Sequence, residues 1–267
     1  MIVSLLFVIT SIITAACFTD IDTPKENKNK KLFERITDYK DELKTVFGFA
    51  FKSKRLRAIM LFTLFFDGLV LSSYTLRESV LLELELKPQY FAIIISSLSI
   101  VAGIFSSLQG KIHEKFKNRV LTFIASAYVP TFVIAGIISQ MNISWNIKIV
   151  SIVLLYVVQY AMQSIYYIVS TKYIKNFTSV EIRTKISSAF ESIKSLSQVL
   201  IALISSYLLA KTTASESFVI IGVGAIILIS FVLVYMKTRV GLKPEEYKEE
   251  DIKFADDYDS KNNVHKM

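Results

Sequence analysis

Cysteine, tryptophan and histidine are almost missing from this chain: among 267 residues there is one Cys, Cys17, one Trp, Trp145, and two His, His113 and His265. A single thiol excludes an intrachain disulfide and any CxxC metal motif. Two histidines so far apart in sequence give no clustered ligand set for a structural zinc ion. Charge is scarce too. Only 20% of residues are Asp, Glu, Lys or Arg, against 52% hydrophobic, and the mean hydropathy is +0.47, too apolar for a soluble domain of this length. The net charge of +8 does not indicate nucleic acid, because the basic residues stand in islands between apolar runs rather than on one continuous face. No GxxxxGK[ST] phosphate loop is present, so ATP is not an evident energy source. No paired nucleophile and base stands out, so neither an enzyme nor a cofactor is expected.

What is present is a series of long apolar runs: Met1–Phe18, Leu56–Leu76, Gln89–Gln109, Val120–Gln140, Ile149–Thr171, Ile186–Ala210 and Phe218–Met236. A helix needs about 20 such residues to cross the hydrocarbon core, so six runs qualify and the first is marginal. They do not alternate apolar with polar residues, as barrel strands do. An all-α membrane protein embedded in a lipid bilayer is expected. The first run has no Lys or Arg before it, which argues against a signal peptide. "TAAC" before Phe18 is similar to a lipoprotein cleavage site, but Thr14 fits its first position poorly; a span is the expectation and lipidation of Cys17 the alternative.

Cytoplasmic connections keep Lys and Arg. The connections after spans one, three and five and the C-terminal tail hold 26 of the 31 basic residues; the alternate connections hold Arg77, Lys87, Lys148 and Lys211, and Lys194 lies inside a span. This predicts a multi-pass protein of the cell membrane with its N-terminus outside and its C-terminus cytoplasmic. The longest connection contains "LFERITDYKDELKTVF", in which Leu32, Phe33, Ile36, Leu43 and Phe47 recur at helical spacing. An amphipathic helix on the cytoplasmic membrane surface explains the pattern, with docking on a partner helix as the alternative. The tail after Gly241 is charged and poor in apolar residues, and is expected to be disordered. The predicted division is a transmembrane helix at 1–18, a cytoplasmic linker at 19–55, a six-helix bundle at 56–236 and a cytoplasmic tail at 237–267.

Polar residues inside the spans are the candidates for function, because each is costly in lipid unless it faces the bundle or a wet cavity. Asp67 sits near the middle of its span, where it suits carriage of a proton or attraction of a cation; a structural hydrogen bond to a neighbouring helix is the alternative. Tyr156, Gln159, Tyr160, Gln163, Tyr167 and Ser170 follow at spacings of three and four and form a stripe that could line a cavity and contact substrate, or bond helix to helix. Glu191 and Lys194 share a helical face, with Gln198 one turn on, as part of an inner gate or as a local pair whose lysine reaches toward the headgroups. Ser96, Ser99, Gly103, Ser107 and Gly110 form a small-residue face expected to pack closely. Arg77 and Glu78 are read as anchors at the outer interface.

Between two spans stands "GKIHEKFKNRV". Gly110, the aliphatic Ile112, the acid Glu114, and the bases Lys115 and Arg119 resemble the loop signature of the major facilitator superfamily, with Lys117 where a second glycine is usual and Glu in place of the usual Asp. The resemblance implies a C-terminal half: the end of span six, a central cytoplasmic loop, and spans seven to twelve. It further implies a bundle in which the first helix of each three-helix unit lines the cavity and the third is peripheral. The uncharged interior of Val120–Gln140 and the apolar Phe218–Met236 agree with that order. Glu114, Lys115 and Arg119 would then latch cytoplasmic helix ends. The implied function is secondary transport of a small solute by alternating access, proton-coupled through Asp67, with a missing N-terminal half or a second copy as partner. The competing expectation is a seven-span, N-outside receptor or scaffold without transport activity, disfavoured by the long first connection.

Overall fold

The computed structural model describes residues 53–116, 119–176 and 183–239, together with Gly48, Phe51 and Thr178. The chain divides into two compact units, Met1–Glu42 and Leu43–Met267, and every described residue belongs to the second. The expected span Met1–Phe18, the amphipathic helix around Leu32–Phe47 and the tail beyond Arg239 lie outside the described residues. Among the described residues every regular element is a helix.

Helix α1 spans Lys54–Glu83. The Ser53 hydroxyl caps its start, accepting from the Leu56 N–H at 3.3 Å. Its end runs seven residues past the expected Leu76 and closes with two bonds, Leu86 N–H to the Leu81 carbonyl at 3.1 Å and Glu85 N–H to the Leu82 carbonyl at 2.9 Å. Between them Glu85 takes φ 59°, the left-handed position where glycine is usual. The buried Leu81 and Leu86 complete that cap on its apolar side.

The remaining helices are α2 (Gln89–Ser107), α3 (Gln109–Phe116), α4 (Val120–Tyr128), α5 (Pro130–Gln140), α6 (Trp145–Asn176), α7 (Arg183–Leu209) and α8 (Ala214–Arg239). α4 and α5 form one span broken at Val129, because Pro130 has no N–H to give and its ring crowds the carbonyl four residues back. α8 starts four residues before the expected Phe218, at a reciprocal cap: Glu216 N–H donates to Thr213 Oγ1 at 3.1 Å, and Thr213 N–H donates to Glu216 Oε2 at 3.0 Å.

Among the described residues six spans are long and apolar enough to cross a membrane: α1, α2, α4 with α5, α6, α7 and α8. The chain is therefore a multi-pass membrane protein. Its helix contacts repeat. α1 packs on α7 and α8, and α6 packs in the same way on α2 and on α4–α5; α5 meets α8, and α1 meets α6. Exchanging the first three spans for the last three maps this set of contacts onto itself. Three is odd, so the two units cross the membrane in opposite senses.

The arrangement is two layers, with the row α2, α6, α1, α7 in front and α4–α5 and α8 behind. The core between them is aromatic: Phe66 lies 4.4 Å from Tyr166 and 4.9 Å from Tyr128, and Phe132 stacks on Phe218 at 5.0 Å, ring centre to ring centre. In the back layer α5 and α8 approach through Gly136 and Gly222. A Cβ on Gly136 would come within 2.6 Å of the Ser215 carbonyl, and one on Gly222 within 2.9 Å of the Val133 nitrogen.

One expectation is corrected by this packing. The third spans pack on each other and on the first spans, behind the front row, and the second spans are the least buried within this chain, with 6% of the apolar stretch of α2 and 11% of that of α7 buried against 67% for α1. The small-residue face of α2 does not pack within this chain: Ser96, Ser99, Gly103 and Ser107 are exposed, and a Cβ at Gly103 or Gly110 would meet nothing.

Candidate functional site

The two central spans, α1 and α6, bring most of the predicted residues together. The α6 stripe runs along their seam. One edge turns into the packing: Gln159 donates to Thr131 Oγ1 on α5 at 2.8 Å, Tyr156 reaches the Arg77 carbonyl at 3.4 Å, and Ser170 is buried. The other edge stays open, with Tyr160 half-buried and Tyr167 exposed. Gln163, between them, donates to the Tyr74 hydroxyl. The stripe thus both bonds helices and lines an open face, rather than doing one or the other.

Asp67 is buried on α1. Tyr166 donates to its Oδ2 at 2.6 Å, while Oδ1 is buried with no hydrogen-bond partner. Thr63 Oγ1, one turn earlier on the same face, and Ser197 Oγ on α7 are also buried without partners. Next to Asp67, Gly68 lets α7 come close, since a Cβ there would stand 2.6 Å from Ile201 Cγ1 and 2.9 Å from Ser197 Oγ. The charged groups whose fields reach Asp67 are Lys194 and Glu191. These two form an ion pair at 2.9 Å in which Glu191 is 70% exposed and Lys194 only 12%. Lys194 also lies over the Tyr167 ring at 5.9 Å. Gln198 is half-buried.

Arg77 is the residue the sequence misassigned. Because α1 continues to Glu83, its side chain is interior, 4% exposed, while Glu78 is exposed as expected. Its Nε donates to the Ser73 carbonyl at 2.8 Å and its Nη2 to Ser73 Oγ at 2.6 Å. Tyr128 donates to the same Ser73 hydroxyl at 3.0 Å. The guanidinium carbon sits 4.5 Å from the Tyr160 ring centre, 4.8 Å from Tyr74 and 5.9 Å from Tyr156. An arginine ten residues after an aspartate on the same long helix, with Tyr74 one turn before it, was the signal that could have found this cluster.

At the far end of the bundle from Arg77, the charged island folds as the amphipathic helix α3. Ile112 and Phe116 turn to the core, with Phe116 stacked on Phe123 at 4.1 Å. Glu114, Lys115 and Arg119 point outward and are exposed, and Gly110 is half-buried at the start of the helix. Among the described residues the ion pair is Glu191–Lys194, and Glu114 forms none. His113 lies 5.8 Å from the Tyr173 ring on α6. Burial, and secondly the positive Lys172, hold its pKa below the ordinary 6.5, with Glu114 opposing.

The opposite end is tied by three hydrogen bonds. Trp145 Nε1 donates to the Leu84 carbonyl at 2.8 Å, Lys148 Nζ to the Ser139 carbonyl at 2.9 Å, and the Ser215 N–H to Glu83 Oε2 at 2.9 Å. These bonds fix the ends of α1, α5, α6 and α8 at the rim nearest Arg77. No group of three or more metal-ligating side chains occurs among the described residues. Comparison with protein-family models, with curated proteins and with solved structures finds no match for this chain.

Proposed function

We propose that this chain is one six-span half of a secondary transporter of the major facilitator type, moving a small solute across the cell membrane by alternating access. The observation that supports this most is the exchange of contacts between the two three-span units: opposed repeats place their first helices together, and the polar groups of the seam collect there. Asp67, Tyr156, Gln159, Tyr160, Gln163 and Tyr167 lie on that seam in this reading and serve the solute and a coupling proton. In this reading the cytoplasmic end is the end carrying α3 and Ser53, which puts the C-terminus inside and, with Met1–Phe18 as a further span before the bundle, the N-terminus outside. A second six-span bundle, from a missing half or a second copy, completes the cavity over the front row.

Asp67 is the coupling group in this proposal. Its unpartnered Oδ1 can take up a proton, and Tyr166 holds the other oxygen in place. The test is to reconstitute the protein with an entrapped pH dye, add a panel of solutes and follow proton movement. Saturable, solute-dependent proton flux that Asp67→Asn abolishes supports the proposal, since the amide keeps size and polarity but cannot titrate. A receptor or scaffold gives no flux with any solute even where two copies are together, whereas a lone half gives none only as a monomer. Light scattering on the same preparation addresses the second bundle: a monomer with saturable uptake refutes the need for one.

A further inference from the structure

Arg77 is a buried cation without a counter-charge. Among the described residues no carboxylate forms an ion pair with it. Asp67 lies ten residues earlier on the same helix, about 15 Å along the axis, too far to neutralise it. A charge held in the protein interior among apolar spans is costly, so a bare arginine needs compensation. Part of it is visible: two hydrogen bonds to Ser73 and the faces of Tyr74 and Tyr160. Those two rings stand at 88° to one another and form a corner with the guanidinium in it.

The compensation is incomplete, because Nη1 is buried with no hydrogen-bond partner, although the Tyr160 hydroxyl adjoins the guanidinium. A guanidinium already held through Nε and Nη2 keeps one edge of its fork free, and that edge suits an oxyanion. The corner is not sealed. Tyr74 is 42% exposed and Tyr160 is half-buried, so both rings border the open front face. Gln163 holds the Tyr74 hydroxyl, which steadies one wall.

From this we infer that Arg77, with Tyr74 and Tyr160 as walls, binds the oxyanion group of a ligand that enters from the open face between α1 and α6. The shared chemistry is a carboxylate or phosphate, ideally with an aromatic or apolar body to lie on the tyrosines. Its source is either a small organic anion or the headgroup of an anionic lipid. The solute version rests on the transporter reading and narrows its substrate to anions; the binding itself does not depend on transport.

The experiment measures binding without transport. The purified chain in a neutral maltoside detergent is titrated at constant ionic strength with sodium benzoate, inorganic phosphate or, as a cationic control, choline. Thermal unfolding is followed through Trp145, the one tryptophan, whose indole is tied to the rim near Arg77. A further arm replaces the added anion with micelles containing phosphatidylglycerol. The expected result is saturable stabilisation by benzoate or phosphate and none by choline, lost in Arg77→Gln. In Arg77→Lys, which keeps the charge and loses the fork, binding weakens at least about tenfold. Stabilisation by phosphatidylglycerol alone, again lost in Arg77→Gln, supports the oxyanion site and assigns it to lipid. If Arg77→Gln does not fold, Arg77→Lys decides alone. Equal binding by Arg77→Lys, no stabilisation by any anion, or stabilisation that survives Arg77→Gln overturns the inference. Binding without solute-driven proton flux in a preparation that light scattering shows to be dimeric would leave the site standing and remove the two-copy transporter reading; flux without binding would overturn the site and leave the transporter reading standing.

Discussion

The first span of each three-span unit and the second differ more than their composition suggests. α1 and α6 carry Asp67, Arg77 and the tyrosine–glutamine stripe and sit in the middle of the helix contacts. α2 and α7 expose Ile93, Ile100, Leu200 and Leu203 beside the polar Ser96, Ser99 and Glu191. Hydrophobicity does not track burial: α8 has the highest mean hydropathy, 2.9, with 33% of its apolar stretch buried, and α7 the lowest, 1.4, with 11%. In water so much exposed apolar surface would be a fault; in a bilayer the exposed face is solvated by lipid, and the interior is where polar groups can find partners. Helix position is set by polarity and by small residues at close approaches, not by apolar content.

The comparison breaks most sharply at glycine. Gly68 on α1 touches α7, whereas Gly103 on α2 touches nothing. Gly68→Leu should destabilise the bundle by at least about 1–3 kcal/mol through overpacking, with loss of folded yield on detergent gel filtration. Gly103→Leu should leave the unfolding temperature unchanged. Equal damage from both would mean that α2 is packed as tightly as α1.

A smaller effect is expected at the hydroxyls. Tyr166→Phe on α6 removes the bond to Asp67 and should cost about 1–3 kcal/mol, measured by thermal or denaturant unfolding in detergent. Tyr207→Phe on α7, where the side chain is 66% exposed, should change nothing measurable. At the turn joining a first span to a second, Glu85 occupies a left-handed conformation. Glu85→Gly should relieve about 1 kcal/mol and raise the unfolding temperature; a fall would show that the carboxylate has a role there.

How much of this was legible beforehand follows from the physics of each signal. Apolar runs gave the six spans because length against bilayer thickness is a strong constraint. They do not mark the ends of α1, α6 and α8, where helices continue as polar or amphipathic turns; the Thr213–Glu216 cap is written in the sequence as "TASE", outside any apolar run. Asp67 and the α6 stripe were readable because a polar group in an apolar run is conspicuous. Arg77 was not, lying one residue past the apolar run, where a charge normally marks a helix end. The pairing of Tyr166 with Asp67 and the Gly136–Gly222 approach join distant segments, and one sequence carries no record of which spans meet. The face from Ser96 to Gly110 was read as packing because small residues permit close approach, but permission is not contact.

The smallest expected effect lies where α3, the helix after the second span, reaches α6. His113 resists protonation there. Its depressed pKa means that the folded state disfavours the charged form, so stability is retained above the ordinary pKa of 6.5 and falls as pH drops below it through the folded value. Unfolding temperatures measured between pH 8 and about 5 should show a shallow acid loss that His113→Phe reduces. An unaltered acid slope would place the titration elsewhere.

The proposed transport requires the seam of α1 and α6 to open to water from each side of the membrane in turn. Tyr160 lies midway along α6 on the open edge of the stripe. Tyr160→Cys, made together with Cys17→Ser, should react with an impermeant maleimide both in right-side-out and in inside-out vesicles, while Ile227→Cys on the exposed face of α8 should react in neither. Reaction of Tyr160→Cys from one side only, or from neither, would contradict alternating access at this seam.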